Sequence, residues 1–323
     1  MSHRRGNLIV TSIGRPEACL SSLNQPNDGQ GVHRGGDVGE PAGAGPPQMG
    51  TLAGTLGAMI PTLGTFWGLT ISTHDALVGA GLVVAVAVFG FEKQRRAVTD
   101  ERLWVVVALA LAWGAVFARL GTWVQHVDLS QNDALAQHWL HGSRSILGGL
   151  TGAYLGALFG KRVTGYRERT GALFAPAVAA GMAIGRIGCM VTESPGTATG
   201  HAWGVVLNKT DAALVGAPAN VPLHPSFLYE IAFHAIAFAL LWRFRDQLTK
   251  PAGLFTLYLG AYAVFRFLVE FVRGNEVAWA GLTRPQLFLL VVLPLLLWRA
   301  LKVLSPPAAK HSHSSDPAIV EAT

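Results

Sequence analysis

Charge is what this sequence has least of. Only 14% of its 323 residues are Asp, Glu, Lys or Arg, and half are hydrophobic, whereas soluble domains carry about 25% charged residues. A chain this long can bury a large core, but a soluble fold would still need a charged skin over it. At a mean hydropathy of +0.37 that skin is missing. The shortage argues against a disordered chain and a two-domain soluble enzyme, and it points to a polytopic membrane protein. Cysteine is scarce too: Cys19 and Cys189 lie in such different surroundings that no bridge is expected, which argues against a disulfide scaffold. Residues 1–58 lack the apolar run of about 7–15 residues that a secretory signal needs. Rich in Gly, Pro, Ser and Asn, they read as a disordered extension, with translation expected to begin at Met49 or Met59. The segment 305–323 reads as a disordered cytoplasmic tail, and its His311 and His313 are slight grounds for a metal site.

Long apolar runs, by contrast, are plentiful. Seven of them, at about 74–91, 103–126, 145–160, 171–191, 224–242, 253–272 and 284–301, each suit one crossing of a hydrocarbon core roughly 30 Å thick. The expected fold is therefore all-α, a polytopic membrane bundle of seven transmembrane helices over residues 59–304 with an outer loop at 192–223. Charge sorts the linkers. Lys93, Arg95, Arg96, Arg102, Lys161, Arg162, Arg167, Arg169, Arg243, Arg245, Lys250, Arg299 and Lys302 fall on one side, and only Arg144, Lys209, Arg273 and Arg284 on the other. That bias places the amino terminus outside and the carboxyl terminus in the cytoplasm. The net charge of +6 thus reflects membrane topology and implies no nucleic acid.

Gly148, Gly152, Gly156 and Gly160 recur every four residues, a smooth stripe on which another helix can lie closely. Gly181, Gly185 and Gly188 suit helix packing likewise, since the segment lacks the G-x-G of a nucleotide loop.

Three arginines, Arg119, Arg186 and Arg266, fall inside the predicted spans, where each costs at least about 2.5–3.5 kcal/mol. At 1.5 Å per residue, Arg266 lies roughly 20 Å from the cytoplasmic start of span six and Arg186 about 7 Å short of the outer end of span four. Tyr229 and Glu230 sit one to two turns into the inward-running span five, at the same level. Arg266, Glu270 and Arg273 share one helical face at i, i+4, i+7. Weighing Arg119, Arg186 and Arg266 against Glu230 and Glu270 leaves one surplus positive charge, which suits one phosphate diester, and the arginine fork binds phosphate well. The alternative is that these are interhelical ion pairs and nothing more.

Three stretches carry a resemblance. Gly185-Arg186-Ile187-Gly188, His224-Pro225-Ser226-Phe227-Leu228-Tyr229-Glu230 and Arg266-Phe267-Leu268-Val269-Glu270-Phe271-Val272-Arg273 resemble the G-R-x-G-N, H-P-[ST]-x-L-Y-E and R-F-x-x-E-x-x-R segments of the phosphatidylglycerol–prolipoprotein diacylglyceryl transferases. Smaller echoes are Ala118-Arg119-Leu120-Gly121, Gly148-Gly149-Leu150, Trp203-Gly204-Val205 and Gly281-Leu282-Thr283 with Gln286. The resemblance implies a multi-pass enzyme of the bacterial inner membrane that moves the diacylglyceryl group of phosphatidylglycerol onto the lipobox cysteine of prolipoproteins. Its partners would be phosphatidylglycerol, prolipoprotein signal peptides and membrane lipids, with no metal or soluble cofactor. Arg186 and Arg266 would hold the lipid phosphate and stabilise its developing charge, and Glu270 would orient an arginine. Arg119, His224, Tyr229, Glu230, Arg273, Gly148 and Gly149 would line the substrate.

The sequence also departs from that family. In Ser145-Ile146-Leu147-Gly148-Gly149-Leu150, Leu147 stands where the family has a histidine proposed to help activate the thiol, and leucine accepts no proton. Cys189 replaces the asparagine after G-R-x-G. Thr192-Glu193-Ser194-Pro195-Gly196 stands where N-G-E follows, which leaves open whether Glu193 takes the glutamate's place. The tyrosine common in the first span is absent, and His74 and Asp75 occupy the neighbourhood. His74, His141 and His224 lie on the outer side as candidate replacement bases; Cys189 is a weaker candidate as a nucleophile than as an apolar filler. Two other functions compete: a divergent phospholipid-dependent transferase with another acceptor, and a non-catalytic anionic-lipid-binding membrane protein.

Overall fold

The computed structural model of the chain describes residues 58–126, 145–247 and 253–304. The extension before residue 58, the tail after residue 304, and His141 and Arg144 lie outside the described residues. The elements in chain order are β1 (Thr62–Phe66), β2 (Leu69–Ser72), α1 (Thr73–Arg95), α2 (Arg102–His126), α3 (Ile146–Thr164), α4 (Gly171–Thr192), β3 (Val205–Val206), α5 (Lys209–Val215), β4 (Pro222–Leu223), α6 (Ser226–Phe244), α7 (Gly253–Arg273), β5 (Val277–Trp279), β6 (Leu282–Thr283) and α8 (Arg284–Leu304). The seven long helices coincide with the seven apolar runs to within four residues at either end. Six of them, all but α3, are long and apolar enough to cross a membrane. In α3, five glycines and the pair Lys161-Arg162 dilute the 19 residues.

Three antiparallel ribbons, β1-β2, β3-β4 and β5-β6, add short strands to a helical chain expected to be all-α. Two of them close on tight turns whose central residues both take positive φ: Trp67 (50°) with Gly68 (79°), and Ala280 (50°) with Gly281 (77°). That backbone twist matches paired strands and is cheapest with glycine at the second position. The 192–223 loop has its own small core, in which Val205, Leu207, Ala212 and Leu223 are buried together with Met59.

Packing follows the glycines. The helix α2 lies along α3, and α1 along α4. A Cβ on Gly156 would sit 2.5 Å from the Leu109 carbonyl oxygen, and one on Gly81 would sit 2.5 Å from the Gly181 carbonyl oxygen. Both crossings therefore admit only hydrogen at these positions. The helix α4 also packs on α6 and α7, and α7 on α8. Outward faces carry Val83, Ile236, Leu268 and Val291, all more than half exposed, as lipid-facing side chains are.

Where α1 and α6 end, the fully buried Glu92 carboxylate receives three arginines: Arg95 at 2.9 Å, Arg96 at 3.1 Å and Arg245 at 3.3 Å. Arg95 also holds Asp246 at 2.9 Å. That ion pair keeps the exposed Asp246 carboxyl below the usual carboxylate range, through the hydrogen bond from Arg95.

Two outcomes follow from this packing. Replacing Gly156 by Val should lower the thermal unfolding midpoint in detergent, an overpacking effect of about 1–3 kcal/mol. Gly79→Ala, at a position with nothing within 4 Å of an added Cβ, should leave it unchanged; equal effects would contradict the close crossing. Because the folded-state pKa of Asp246 is depressed, its pairing contributes stability above the unfolded value of about 3.9 and loses it as pH falls through the folded value. The stability difference between wild type and Asp246→Asn, read by unfolding across a pH series, should therefore shrink in acid; a difference independent of pH contradicts the pairing.

Candidate active site

The network at the level predicted from the sequence is built on Glu230. It sits one turn into α6, and the start of that helix is pinned from two sides. Ser226 donates its hydroxyl to the Pro195 carbonyl, the His224 amide donates to the Thr197 carbonyl at 2.8 Å, and the Thr197 amide donates to the Val272 carbonyl at 2.9 Å. The exit of α4, the entry of α6 and the end of α7 are thus tied at one place. Gly196 makes this possible, since a Cβ there would lie 2.5 Å from the Val272 carbonyl oxygen.

Glu230 is fully buried. Arg186 from α4 pairs with its Oε2, and Arg273 from α7 donates from Nη1 to its Oε1 at 3.0 Å. Tyr262, also buried, donates its hydroxyl to Glu230 at 3.5 Å and accepts from Arg186 Nη2 at 3.2 Å. One turn further along α7, Arg266 pairs with Glu270. The Oε1 of Glu270 accepts from Asn275 at 2.6 Å and from the Thr283 hydroxyl at 2.9 Å. Gln286 braces this arm, accepting the Thr283 amide at 2.9 Å and donating to the Phe267 carbonyl at 3.2 Å. At the rim, Arg273 reaches Glu193 at 3.4 Å, and the ring of Phe227 lies 4.2 Å below its guanidinium.

Three arginines therefore face two deeply buried carboxylates, Glu230 and Glu270, and at the rim the half-exposed Glu193 pairs with the third arginine, Arg273. The Nε of Arg186 is buried and finds no hydrogen-bond acceptor among the described residues. A buried donor without an acceptor costs about 1–3 kcal/mol, and an anion at this level would accept from it. Toward the other end of the bundle, an apolar cavity of about 840 Å³ opens among α1, α2, α3, α4, α7 and α8. Leu82, Phe89, Val107, Leu150 and Phe174 line it, with Lys161, Arg169, Arg299 and Lys302 among its polar residues. A second cavity of about 500 Å³ lies at the rim of the network, lined by Glu193, Thr197, Arg273 and Asn275.

Arg186, Arg266, Glu270, Glu230 and Arg273 come together as the sequence suggests. His224 and Tyr229 form a separate half-buried pair at the rim, with Nδ1 3.2 Å from the tyrosine hydroxyl and Trp203 edge-on to the imidazole. Arg119, Gly148 and Gly149 are carried by the α2–α3 pair rather than by the three helices that carry the network. Residues that sequence reasoning passed over are Tyr262, Asn275 and the buried pair Tyr258–His234, whose hydroxyl and Nδ1 are 2.9 Å apart. Tyr258, Tyr262, Arg266 and Glu270 recur every four residues, a stripe that could have extended the polar face of span six by two turns.

A sequence model of the family Prolipoprotein diacylglyceryl transferase matches residues 61–301. The phosphatidylglycerol–prolipoprotein diacylglyceryl transferase of Pseudomonas fluorescens (strain Pf0-1) is 36% identical over 203 residues, which is 58% of this chain and 71% of its own length. The one from Pseudomonas putida (strain F1) is 34% identical over 174 residues, 50% of this chain and 61% of its own. That of Clostridium tetani (strain Massachusetts / E88) is 27% identical over 223 residues, 67% and 86%. All of the helices that build the network fall within the matched region, and the chain belongs to the prolipoprotein diacylglyceryl transferase family.

Proposed function

We propose that this chain transfers the diacylglyceryl group of phosphatidylglycerol to the lipobox cysteine thiol of prolipoproteins, at the outer face of the bacterial inner membrane. The bundle crosses seven times, α3 included, with the amino terminus outside and the carboxyl terminus in the cytoplasm. The Lys/Arg bias of the linkers supports that orientation, and the placement of aromatic residues supports helix ends at the two interfaces. Trp67, Trp203 and Trp279 are exposed before α1, α6 and α8, at the outer ends, and Trp298 lies under Lys302 at the inner end of α8. Such belts mark both membrane interfaces.

The observation that carries the reading is the network of Arg186, Arg266 and Arg273, in which the buried Arg186 Nε has no hydrogen-bond acceptor. In the proposed complex the lipid phosphate accepts from Arg186 and Arg266, and the acyl chains lie in apolar space of the bundle. The acceptor thiol gives its proton to water, its sulfur attacks the glyceryl methylene carbon, the carbon–oxygen bond breaks, and its electron pair stays on the departing glycerol phosphate. That product carries one more negative charge than the diester, so arginines fixed beforehand favour the transition state over the ground state. Glu270 holds Arg266 in place, with Asn275, Thr283 and Gln286 behind it; Glu230 and Tyr262 hold Arg186. His224 and Tyr229 shape the rim where the signal peptide enters.

One observation favours a second reading, a lipid binder without catalysis: Leu147 stands where the family has its histidine. Expression in cells depleted of their own transferase separates the two. Wild type should add a diacylglyceryl thioether to a lipobox substrate, read by mass spectrometry. Arg186→Ala and Arg266→Ala should each lower transfer by about 100-fold or more at equal membrane levels. Transfer that survives both substitutions contradicts the site. No transfer by wild type, with phosphatidylglycerol still retained on purification, supports the second reading.

A further inference from the structure

The outer ends of α1 and α4 bring together three of the positions at which this sequence departs from its family. The close Gly81–Gly181 crossing leaves Gly188 facing the first turn of α1, where a Cβ on it would lie 3.2 Å from the His74 carbonyl oxygen. As a result a His74 ring nitrogen, Cys189 Sγ and a Glu193 oxygen all lie within 4.8 Å of one another, with His74 Nε2 3.8 Å from Glu193 Oε1. We infer that His74, Cys189 and Glu193 form a binding site for a zinc-type divalent ion, which takes the acceptor thiol as its fourth ligand and does the work of the missing histidine.

The donor set is one nitrogen, one sulfur and one carboxylate oxygen, the mixture that zinc accepts and that harder cations do not. Tetrahedral coordination with bonds of about 2.0–2.3 Å needs ligand atoms about 3.3–3.8 Å apart, so movements of about an ångström complete the site. The ligands are already oriented from behind. Asp75 Oδ1 lies 3.3 Å from His74 Nδ1, which favours the tautomer with its lone pair on Nε2, the carboxylate–histidine arrangement common behind metal ligands. Arg273 holds Glu193 through Oε2 at 3.4 Å, which leaves Oε1 for the ion. Cys189 is buried, but the His74 and Glu193 side chains are 25% and 44% exposed, so an incoming thiol has a path to the fourth position. Three protein ligands with one open position is the pattern of catalytic rather than structural zinc.

A coordinated thiol loses its proton at neutral pH. In the proposed step the acceptor S–H gives its proton to water as sulfur binds the ion. The sulfur lone pair then forms the bond to the glyceryl carbon, and the carbon–oxygen bond breaks with its pair on the phosphate oxygen. The thioether product is neutral and a poor ligand, so it leaves. Arg186 Nη1 is 3.9 Å from Cys189 Sγ, which sets the proposed ion beside the proposed phosphate site. This role in transfer rests on the transferase reading; the ion site itself does not.

The test uses the full-length chain in lipid nanodiscs, with His311→Ala and His313→Ala as background to remove the tail histidines. After chelation, titration with Co²⁺ should bind one equivalent and give a thiolate-to-cobalt charge-transfer absorption. Cys189→Ser should abolish that absorption, His74→Ala should abolish tight binding, and Asp75→Asn should weaken it about 10-fold. A lipobox peptide with cysteine should perturb the cobalt spectrum, whereas its serine counterpart should not. No binding by the background chain, or binding unchanged by Cys189→Ser and His74→Ala, overturns the site. An undisturbed spectrum with the cysteine peptide, or full transfer by the chelated protein, overturns the thiol-activating role. Cobalt binding and thiol coordination without transfer would instead count against the transferase reading and in favour of the site.

Discussion

A buried carboxylate held by the buried Arg186 and the partly buried Arg273 is the constraint on which this end of the bundle depends. Glu230 reaches Arg186 and Arg273 from two other helices, in a layer where unpaired charge is costly. Removing one partner from such a pair typically costs about 3–5 kcal/mol, because the other charge stays buried without compensation. Much of the local architecture serves that meeting. The Ser226–Pro195 bond and the Thr197 strap fix where α6 begins, and the approach of α1 to α4 through Gly81 and Gly181 closes the bundle around them.

The two ends of the bundle use the same chemistry to different effect. At the inner end Glu92 collects Arg95, Arg96 and Arg245, and Asp246 supplies a second carboxylate to the same arginines. That cluster ties helix ends together. In the Glu230 network the charged groups come from three helices, and a cavity lined by Glu193, Arg273 and Asn275 adjoins it. Each cluster holds one buried arginine Nε without a hydrogen-bond acceptor, Arg186 and Arg245, but Arg245 Nε lies 3.3 Å from a Glu92 oxygen, so the adjoining cavity is what marks the Glu230 network as the candidate anion site.

Much of this was legible in the sequence because lipid makes charge informative. Apolar runs located the seven long helices, and Arg186 and Arg266 stood out because so few basic residues lie inside such runs. The α3 glycine stripe was readable from its period alone. Other features were hidden for physical reasons. The β ribbons are two to five residues long, too short for a period-two pattern to register, and are set by turns such as Trp67-Gly68. The polar face of Arg266, Glu270 and Arg273 was readable from its spacing, but that Arg273 meets Glu230 of α6 depends on how the two helices pack. Tyr262 and His234 passed as ordinary span residues, since tyrosine and histidine do not break an apolar run. The convergence of His74, Cys189 and Glu193 depends on a helix crossing that no local pattern encodes.

Phosphatidylglycerol binding measures the central claim most directly, because it separates the anion site from everything that follows it. Purified wild-type chain in nanodiscs of neutral lipid, titrated with phosphatidylglycerol and followed by native mass spectrometry, should retain the anionic lipid specifically. Arg186→Ala should abolish that retention, and Arg95→Ala at the inner clamp should not. Retention equal in all three proteins would contradict the account.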